Sequence, residues 1–215
     1  MWSSTSKRFR RNTGVEFETT RQLFQEGVGV ALERAPIIAA ASFDAADEAV
    51  SSSAGVVLLM KSSIREILSD EYRRLAERKP IMIHFDFLRG LSDDHEAMVF
   101  LKHKVNPAAI VSTKGKIVRS ARKAGIPSIE RVFLIDFTSF YKTIDSINEN
   151  DPDAVEVMPG IVPQVVPRFR EYVSLPIILG GMISSTAEID AAFEHGANAV
   201  SVGNRRLWSY QRSAG

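Results

Sequence analysis

The stretch PIILGGMISSTAEIDAAFEHGANAVSVG, residues 176–203, contains one complete strand–helix–strand unit. One apolar run ends at Gly180 and a second ends at Val202. Between them, Ser185 and Glu188 form the Ser-x-x-Glu pattern of a capping box, and Gly196 stands where a helix ends in a left-handed residue. Both runs are continuously apolar, as is typical of parallel strands that are buried on two faces. The stretch therefore predicts a β–α–β unit.

Runs of this kind recur along the chain. Their predicted bounds are 36–41, 55–60, 80–86, 108–112, 131–136, 153–157, 176–180 and 198–202. Successive runs begin 19 to 28 residues apart, which leaves room for a strand, a helix and two short loops. Eight such units close into a barrel, so we predict an α/β fold of the (β/α)8 TIM-barrel class.

The two ends of the chain depart from this repeat. Only residues 203–215 follow the last predicted strand, so the eighth helix is predicted to be short. Residues 15–34 have apolar positions partly in helical phase and predict an extra N-terminal helix. This helix fills the gap left by the short eighth helix, closes the barrel floor, or is a tethered extension. Residues 1–14 are basic and polar and predict a disordered arm, and residues 35–210 are predicted to form the single barrel domain.

The composition excludes several classes of protein. The chain has 215 residues, no cysteine and a formal net charge of +1. It therefore has no disulfide scaffold, no cysteine nucleophile and no thiolate metal site. No apolar run approaches the ~20 residues that span a bilayer, and the N-terminus lacks an apolar signal core, so we expect a cytoplasmic protein with no membrane partner. The near-neutral charge argues against a surface that binds nucleic acid over its whole extent.

Polar residues near the strand ends are candidates for function, because the active face of such barrels lies at the carboxyl ends of the strands. His84 and Asp86 end the third predicted strand and Glu156 lies in the sixth, where two-residue alternation directs them into the barrel mouth. There they accept hydrogen bonds from ligand hydroxyls, act as acid and base, or, for the two carboxylates, bind Mg2+. In the alternative, Glu156 pairs with His84 or Lys114 in a structural cluster. Asp136 is expected to be a helix N-cap.

Glycines follow the last two predicted strands. Gly180 and Gly181 follow the seventh, and Gly203 and Asn204 follow the eighth. Such turns let backbone N–H groups approach an anion, and these two loops commonly hold phosphate in TIM barrels. We predict a phosphate site at these four residues, assisted by the positive end of a helix near Asn204 and by Lys114 after the fourth strand. The alternative for Lys114 is a solvated residue that opens a helix.

The fourth predicted helix, residues 114–124, has five basic residues and no acidic one. Lys116, Arg119, Arg122 and Lys123 are candidates for contact with an RNA backbone, with a solvated surface as the alternative. The sequence shows no aromatic platform of the kind that stacks single-stranded bases.

Seven segments carry a resemblance to a known family. They are PIIAA (36–40), HFDFLRGL (84–91), IVSTK (110–114), RVFLID (131–136), EVMPGIVP (156–163), GGMI (180–183) and NRRLW (204–208). In this order they resemble the glycerol-3-phosphate responsive antiterminator family over about residues 36–208. The resemblance implies a phosphate-binding barrel that is a bacterial regulator and not an enzyme. On sensing glycerol 3-phosphate, such a regulator binds a leader messenger RNA and prevents premature termination in glycerol-utilisation operons.

The sequence departs from the family pattern in two charged positions. Members usually have a basic residue shortly after the first strand and an arginine just after the diglycine segment. Here these places read Ala41-Ser42 and Ser184, which weakens the expected phosphate site. The N-terminal extension before the first strand is also not typical of the family.

One hypothesis and two rivals follow. The hypothesis is a glycerol-3-phosphate-sensing, RNA-binding antiterminator that requires no cofactor and whose partners are the small phosphorylated ligand, a leader messenger RNA and, in one version, further copies of the chain. The first rival is a metal-assisted phosphodiesterase or an isomerase that acts on a small phosphorylated compound through Asp86, Glu156 and His84. The second rival is a ligand-binding barrel that does not contact RNA.

Overall fold

The structure, a computed structural model, describes residues 20–211, so the predicted basic arm at residues 1–14 lies outside the described residues. Eight parallel strands close into a barrel, because the first strand pairs with both the second and the eighth. The strands are β1 (Ile37–Ser42), β2 (Val56–Ser63), β3 (Ile81–His84), β4 (Ala109–Ser112), β5 (Ser128–Phe133), β6 (Ala154–Met158), β7 (Ile177–Gly180) and β8 (Ala199–Val202). This confirms the (β/α)8 barrel and the α/β class.

Helices connect the strands. Within the described residues, the α-helices are α1 (Val30–Arg34), α2 (Ala46–Ser51), α3 (Ile64–Ile67), α4 (Asp70–Arg78), α5 (His95–Lys104), α6 (Gly115–Lys123), α7 (Phe137–Asn150), α8 (Val165–Arg170) and α9 (Thr186–Glu194). A π-helical turn, Gln25–Gly29, leads into α1, and a two-residue strand, Leu88–Arg89, pairs with the end of β2. Between β8 and residue 211, the one helical element is a 3-10 turn, Arg205–Leu207, which agrees with the predicted short eighth helix. No helix between residues 20 and 211 has the length and apolar character needed to cross a membrane.

Both predicted boundaries of α9 are confirmed by their capping geometry. Ser185 and Glu188 form the reciprocal capping box at the start of α9, and Gly196 ends that helix with a φ of 91°. The repeat predicts one helix in each unit, but two helices follow β2. Ser63 and Glu66 form a capping box for α3, and Ser69 caps α4 separately, because its side chain accepts a hydrogen bond from the backbone of Tyr72.

Alternation along the strands divides the core into two layers. Met82 and Ile178 belong to a cluster inside the barrel, whereas their neighbours Ile83 and Leu179 belong to the cluster between the strands and the helices. Every barrel strand is therefore buried on both faces. Complete burial of each large apolar side chain contributes about 1.5–3 kcal/mol, so both layers stabilise the barrel.

The predicted N-terminal helix is described from residue 20 to residue 34, its first five residues lying outside the described part, and this segment closes the floor of the barrel. Phe24, Val28 and Leu32 are buried and belong to the interior cluster. Thr20 donates a hydrogen bond to Asp153, which immediately precedes β6, at 3.3 Å. These contacts select the floor-closing alternative among the three that the sequence leaves open.

β5 differs most from its predicted bounds. It spans Ser128–Phe133, three residues before the predicted 131–136. Glu130 and Arg131 are charged, yet both are buried within the strand. They are tolerated there because each is hydrogen-bonded, Glu130 by Ser146 and Asn150 of α7 and Arg131 by a carboxylate of the neighbouring strand.

Candidate functional site

The carboxyl ends of the strands bring three of the predicted site residues to one end of the barrel interior. His84 is the last residue of β3, Glu156 lies in β6, and Gly180 is the last residue of β7. Each follows an interior residue by two positions, as His84 follows Met82 and Glu156 follows Ala154. Since side chains two residues apart in a strand share a face, all three face the barrel interior.

Glu156 forms a buried ion pair with Arg131, a residue that the sequence prediction missed. Arg131 Nε donates to Glu156 Oε2 at 2.7 Å, and the two side chains are 4% and 2% exposed. The two residues are register partners in adjacent strands. Glu156 is therefore ion-paired, but with Arg131 and not with His84 or Lys114 as the structural alternative had it, and its contact with a ligand stays a prediction. Arg131 lies two residues after the interior residue Ile129, so alternation along the strand would have predicted that it faces the barrel interior. The predicted strand began at residue 131 and did not include Ile129.

His84 lies beside this pair with unused hydrogen-bonding capacity. The residue is 1% exposed, and neither ring nitrogen has a hydrogen-bond partner within residues 20–211. Burial and the positive charge of Arg131 lower the pKa of His84 to about 4, although Asp86 acts in the opposite direction. The imidazole is therefore neutral at pH 7, so one nitrogen donates and the other accepts. Oε1 of Glu156 is likewise without a partner in this part of the chain.

Asp86 lies outside β3, in a 3-10 turn, Phe85–Phe87, which corrects its predicted place on the same strand as His84. Its carboxylate accepts hydrogen bonds from Ser112 Oγ at 2.5 Å and from Thr113 N and Oγ1 at 2.8 Å each. Burial acts to raise the pKa of Asp86, but these hydrogen bonds lower it below its usual value. Asp86 is therefore an ionised residue that holds the loop after β4.

The carboxylates of Asp86 and Glu156 are poorly suited to the predicted Mg2+. Both oxygens of Asp86 already accept hydrogen bonds, and Glu156 is paired with a guanidinium, whose charge repels a cation. Among residues 20–211 there is no group of three or more His, Asp or Glu side chains that could hold a metal ion. The geometry thus favours hydrogen bonding to a ligand over metal binding.

The two glycine turns lie side by side, because β7 and β8 are neighbours and Gly180 pairs with Ser201. Outside the strand ladder, no backbone carbonyl of residues 20–211 accepts a hydrogen bond from the N–H groups of Gly181, Gly203 or Asn204. Gly180 has a second role, because a Cβ at this position would lie 2.7 Å from Glu156 Oε1. Its lack of a side chain makes room for the buried carboxylate.

Two parts of the predicted phosphate site are not assembled. The helix after Asn204 is a three-residue 3-10 turn, so it lacks the aligned peptide dipoles of a longer α-helix. Lys114 precedes α6, and its Nζ lies 3.2 Å from Asp93 Oδ2. β4 and β8 are on opposite sides of the closed barrel, which separates Lys114 from the second glycine turn. The phosphate role of Lys114 stays a prediction.

The basic residues of α6 are largely paired with carboxylates. Arg122 is 1% exposed and contacts Asp151 at 3.0 Å and Asp153 at 2.7 Å, so it is a structural residue and the RNA-contact prediction for it is corrected. Lys116 lies 3.8 Å from Asp93, and Arg119 lies 3.1 Å from Glu149. Lys123 is exposed. The predicted stripe is therefore not a continuous positive surface.

An aromatic surface that the sequence analysis did not detect lies after β5. Phe133, Phe137 and Tyr141 are exposed, and the guanidinium of Arg168 lies 4.5 Å from the centre of the Phe137 ring. Ile135 next to them is almost fully exposed. Exposed apolar surface of this kind is typical of an interaction site.

The family model described as glycerol-3-phosphate responsive antiterminator matches residues 37–208. Among curated proteins, YgcP of Escherichia coli strain K12 is 28% identical over 179 residues, which cover 83% of this chain and 94% of YgcP.

Two solved structures are similar in both sequence and fold. A glycerol uptake operon antiterminator regulatory protein from Listeria monocytogenes is 27% identical, with a TM-score of 0.76, over 81% of this chain and 95% of that one. A glycerol uptake operon antiterminator-related protein from Thermotoga maritima is 31% identical, with a TM-score of 0.71, over 82% and 99%. Orotidine 5'-phosphate decarboxylase from Pyrococcus horikoshii, at 20% identity and a TM-score of 0.58, shares the fold alone.

Proposed function

The chain belongs to the glycerol-3-phosphate responsive antiterminator family, and from this premise we propose that it senses glycerol 3-phosphate and binds a leader messenger RNA. The family and the solved relatives support the coarser statement that it is a glycerol uptake operon antiterminator. In the proposed activity, the RNA-bound protein prevents premature termination of transcription of glycerol-utilisation genes. The observation that carries the ligand part of the proposal is the set of polar groups at the carboxyl end of the barrel that have no partner among residues 20–211.

These groups match the chemistry of a small polyol phosphate. The neutral imidazole of His84 offers one donor and one acceptor, and Glu156 Oε1 offers a further acceptor for a ligand hydroxyl. The amides of Gly181, Gly203 and Asn204 are donors for an anion in the adjacent turns, whereas the N–H of Gly180 lies within the ladder between β6 and β7. A buried polar group without a partner costs about 1–3 kcal/mol, so a ligand that supplies the missing hydrogen bonds gains affinity from them.

In this proposal, ligand binding changes the arrangement of the loop after β4, and this loop precedes the helix that contacts RNA. A ligand shifts a conformational equilibrium only by its difference in affinity for the two states. Asp86 links the end of β3 to the loop after β4 through Ser112 and Thr113, and that loop leads directly into α6. Contact of the ligand with Asp86 would therefore favour one arrangement of the loop before the basic helix.

The RNA part of the proposal is tested by recovery of cellular RNA on the immobilised full-length protein with glycerol 3-phosphate, with glycerol or with no addition. We expect one leader RNA to be enriched only with glycerol 3-phosphate. Equal recovery in all three arms contradicts ligand-controlled binding, and recovery of no RNA favours a ligand-binding barrel that does not contact RNA. The variant Lys116→Glu with Arg119→Glu tests whether α6 forms the RNA contact.

The enzyme hypothesis relies on groups that are already engaged. Glu156 is held by Arg131, and Asp86 accepts hydrogen bonds through both oxygens. Of the three residues, His84 alone has no hydrogen bond from its side chain to another residue of the described range 20–211. Assays of phosphoester hydrolysis and of isomerisation test this rival. Turnover that the Glu156→Gln variant abolishes would favour an enzyme over a regulator.

A further inference from the structure

Large apolar side chains are exposed mainly on one side of the barrel, around the aromatic surface after β5. Within residues 20–211, ten large apolar residues are at least 39% exposed, and of these ten, two lie elsewhere, Leu23 and Phe87. Four of the other eight lie between the end of β5 and the first half of α7, and they are Phe133, Ile135, Phe137 and Tyr141. The remaining four follow β6, α8 or β7, and they are Ile161, Val162, Tyr172 and Met182. We refer to these eight residues as the apolar face.

Contacts between neighbouring elements join most of this face into one surface. Ile135, Phe137 and Val162 line the same groove of about 360 Å³, between the loops that follow β5 and β6. The rings of Tyr141 and Tyr172 meet edge to face, with 6.2 Å between their centres. This contact joins α7 to the segment after α8. The groove and the two tyrosines therefore belong to one side of the molecule.

The loops after β6 and β7 extend the same surface toward the barrel mouth. Gly160 N donates a hydrogen bond to Gly181 O at 3.0 Å, so the two loops are bonded to each other. The residues that follow this bond are Ile161 and Met182, and Met182 is 73% exposed. The apolar face thus reaches the loop that contains the first glycine turn.

The apolar face is larger than the apolar surface of a typical monomer. A whole large apolar or aromatic residue has about 150–250 Å² of surface, so exposed fractions of 39–87% amount to about 900 Å² over the eight residues. The largest apolar patch on a typical monomer is about 300–600 Å². A standard protein–protein interface buries about 800 Å² on each partner. The apolar face therefore has the area of one half of such an interface.

The charges within this face favour a second copy of the chain over RNA. Arg168 lies over the Phe137 ring, Asp136 lines the same groove, and Glu171 precedes Tyr172. Neither Arg168 nor Glu171 forms an ion pair with any residue between 20 and 211. An RNA backbone requires an excess of positive charge, whereas here two carboxylates accompany one guanidinium. In a two-fold contact the surface meets itself, so a cation of one copy can face a carboxylate of the other.

We propose that two copies of this chain associate through the apolar face as a two-fold symmetric dimer. Phe, Tyr, Met and Arg are enriched at protein interfaces, and the face with Arg168 contains all four types. The dimer covers side chains that are otherwise exposed to water, which is the main favourable term in association. The interface adjoins the first glycine turn, because Met182 directly follows Gly181. The inference depends on neither glycerol 3-phosphate nor RNA and goes beyond the proposed function.

Sedimentation equilibrium of the full-length protein tests the dimer. Interfaces that bury about 1,600 Å² in total have micromolar or tighter dissociation constants, so wild type should reach twice its monomer mass of 23.8 kDa between about 1 and 100 µM. Ile135→Glu and Val162→Glu each place a charge in the groove. Ile135 is 87% exposed, so this change is tolerated by the monomer. Because a charge without a partner is costly to bury, we expect each variant to weaken the dimer at least about 100-fold.

Phe87→Glu is the matched control. Phe87 is 48% exposed, close to the 47% of Val162, but it lies after β3 and outside the apolar face. We expect this variant to keep the dissociation constant of the wild-type dimer. The far-ultraviolet circular dichroism spectra of all three variants should equal that of wild type. The unfolding temperature should rise with protein concentration for wild type and Phe87→Glu but not for the two groove variants, because only a dimer gains stability by mass action.

Three results would overturn the inference. Wild type that remains a monomer at the highest concentration means that no second copy covers the apolar face. A dimer with the same dissociation constant in Ile135→Glu and Val162→Glu uses another surface. A monomeric wild type that binds a single-stranded RNA oligonucleotide, and loses this binding in the two groove variants, would show that RNA occupies the face. Binding of glycerol 3-phosphate is measured separately, so failure of the dimer leaves the proposed function intact.

Discussion

Replacing Arg131 with methionine tests how the barrel tolerates charges in its interior. Oε2 of Glu156 accepts a hydrogen bond from Arg131 at 2.7 Å, and Oε1 has no partner within residues 20–211. Without the guanidinium, the 2%-exposed carboxylate of Glu156 remains buried and uncompensated. Breaking such a pair by removing one partner costs about 3–5 kcal/mol, so we expect Arg131→Met to lower the free energy of unfolding by that amount.

The double variant Arg131→Met/Glu156→Met separates the net contribution of the ion pair to the free energy of unfolding from the cost of leaving one buried charge without a partner. Replacing both partners of a buried pair by apolar residues is often neutral or stabilising, so we expect the double variant to be within about 1 kcal/mol of wild type. The coupling free energy in the double-mutant cycle should then be at least about 3 kcal/mol.

Arg205 and Glu48 provide a matched control. They are also 2.7 Å apart, but their side chains are 54% and 53% exposed. Exposed pairs contribute about 0–1 kcal/mol, so Arg205→Met should lower the free energy of unfolding by no more than about 1 kcal/mol. Urea unfolding followed by circular dichroism at pH 7 measures all of these variants, and a slope of about 2 kcal/mol per M makes the Arg131→Met loss a midpoint shift of about 2 M. Additive losses in the Arg131 and Glu156 variants would refute the reasoning, because they would mean that the two side chains do not interact.

Three further predictions use the same unfolding assay. The pKa of His84 is lowered to about 4 from an ordinary 6.5, so the unfolded chain binds a proton before the folded chain does as the pH falls. Between pH 6.5 and 4, wild type should therefore lose stability relative to His84→Leu by up to about 1.4 kcal/mol per pH unit. A constant difference in stability over this range contradicts a neutral buried imidazole. If the N-terminal helix closes the floor, Phe24→Ala should lower the free energy of unfolding by about 3–5 kcal/mol, and Leu23→Ala, at a more exposed position, should lower it much less. Equal small losses in the two variants would mean that the floor contacts do not stabilise the barrel. Arg122→Met should lower the free energy of unfolding by several kcal/mol, because Asp153 loses its buried partner. Lys123→Met, the neighbouring control, should have little effect. An Arg122→Met protein as stable as wild type would restore Arg122 as a candidate for RNA contact.

The architecture could be predicted from the sequence because each unit carries local signals. Continuous apolar runs, the capping box at Ser185 and the left-handed stop at Gly196 all arise within a few residues and are confirmed in the structure. The floor position of the N-terminal helix could not be decided in advance. It depends on which apolar surface the barrel leaves open, and that surface is formed by strands far apart in the chain.

The site was less predictable because its charges pair across the fold. Arg131 stood at the first position of the predicted strand 131–136, and its partner Glu156 is 25 residues away. Arg122 had the pattern of a solvated helix residue, yet Asp151 and Asp153 bury it against the start of β6.

The central claim, that the carboxyl end of this barrel recognises a phosphorylated polyol as one molecule, is tested most directly by comparing glycerol 3-phosphate, glycerol and inorganic phosphate as calorimetric ligands of the wild-type protein. The account predicts that glycerol 3-phosphate binds at least about 10-fold more tightly than either fragment, because its two ends meet separate sets of polar groups. Equal affinity for all three compounds, or for glycerol 3-phosphate and inorganic phosphate, would contradict it.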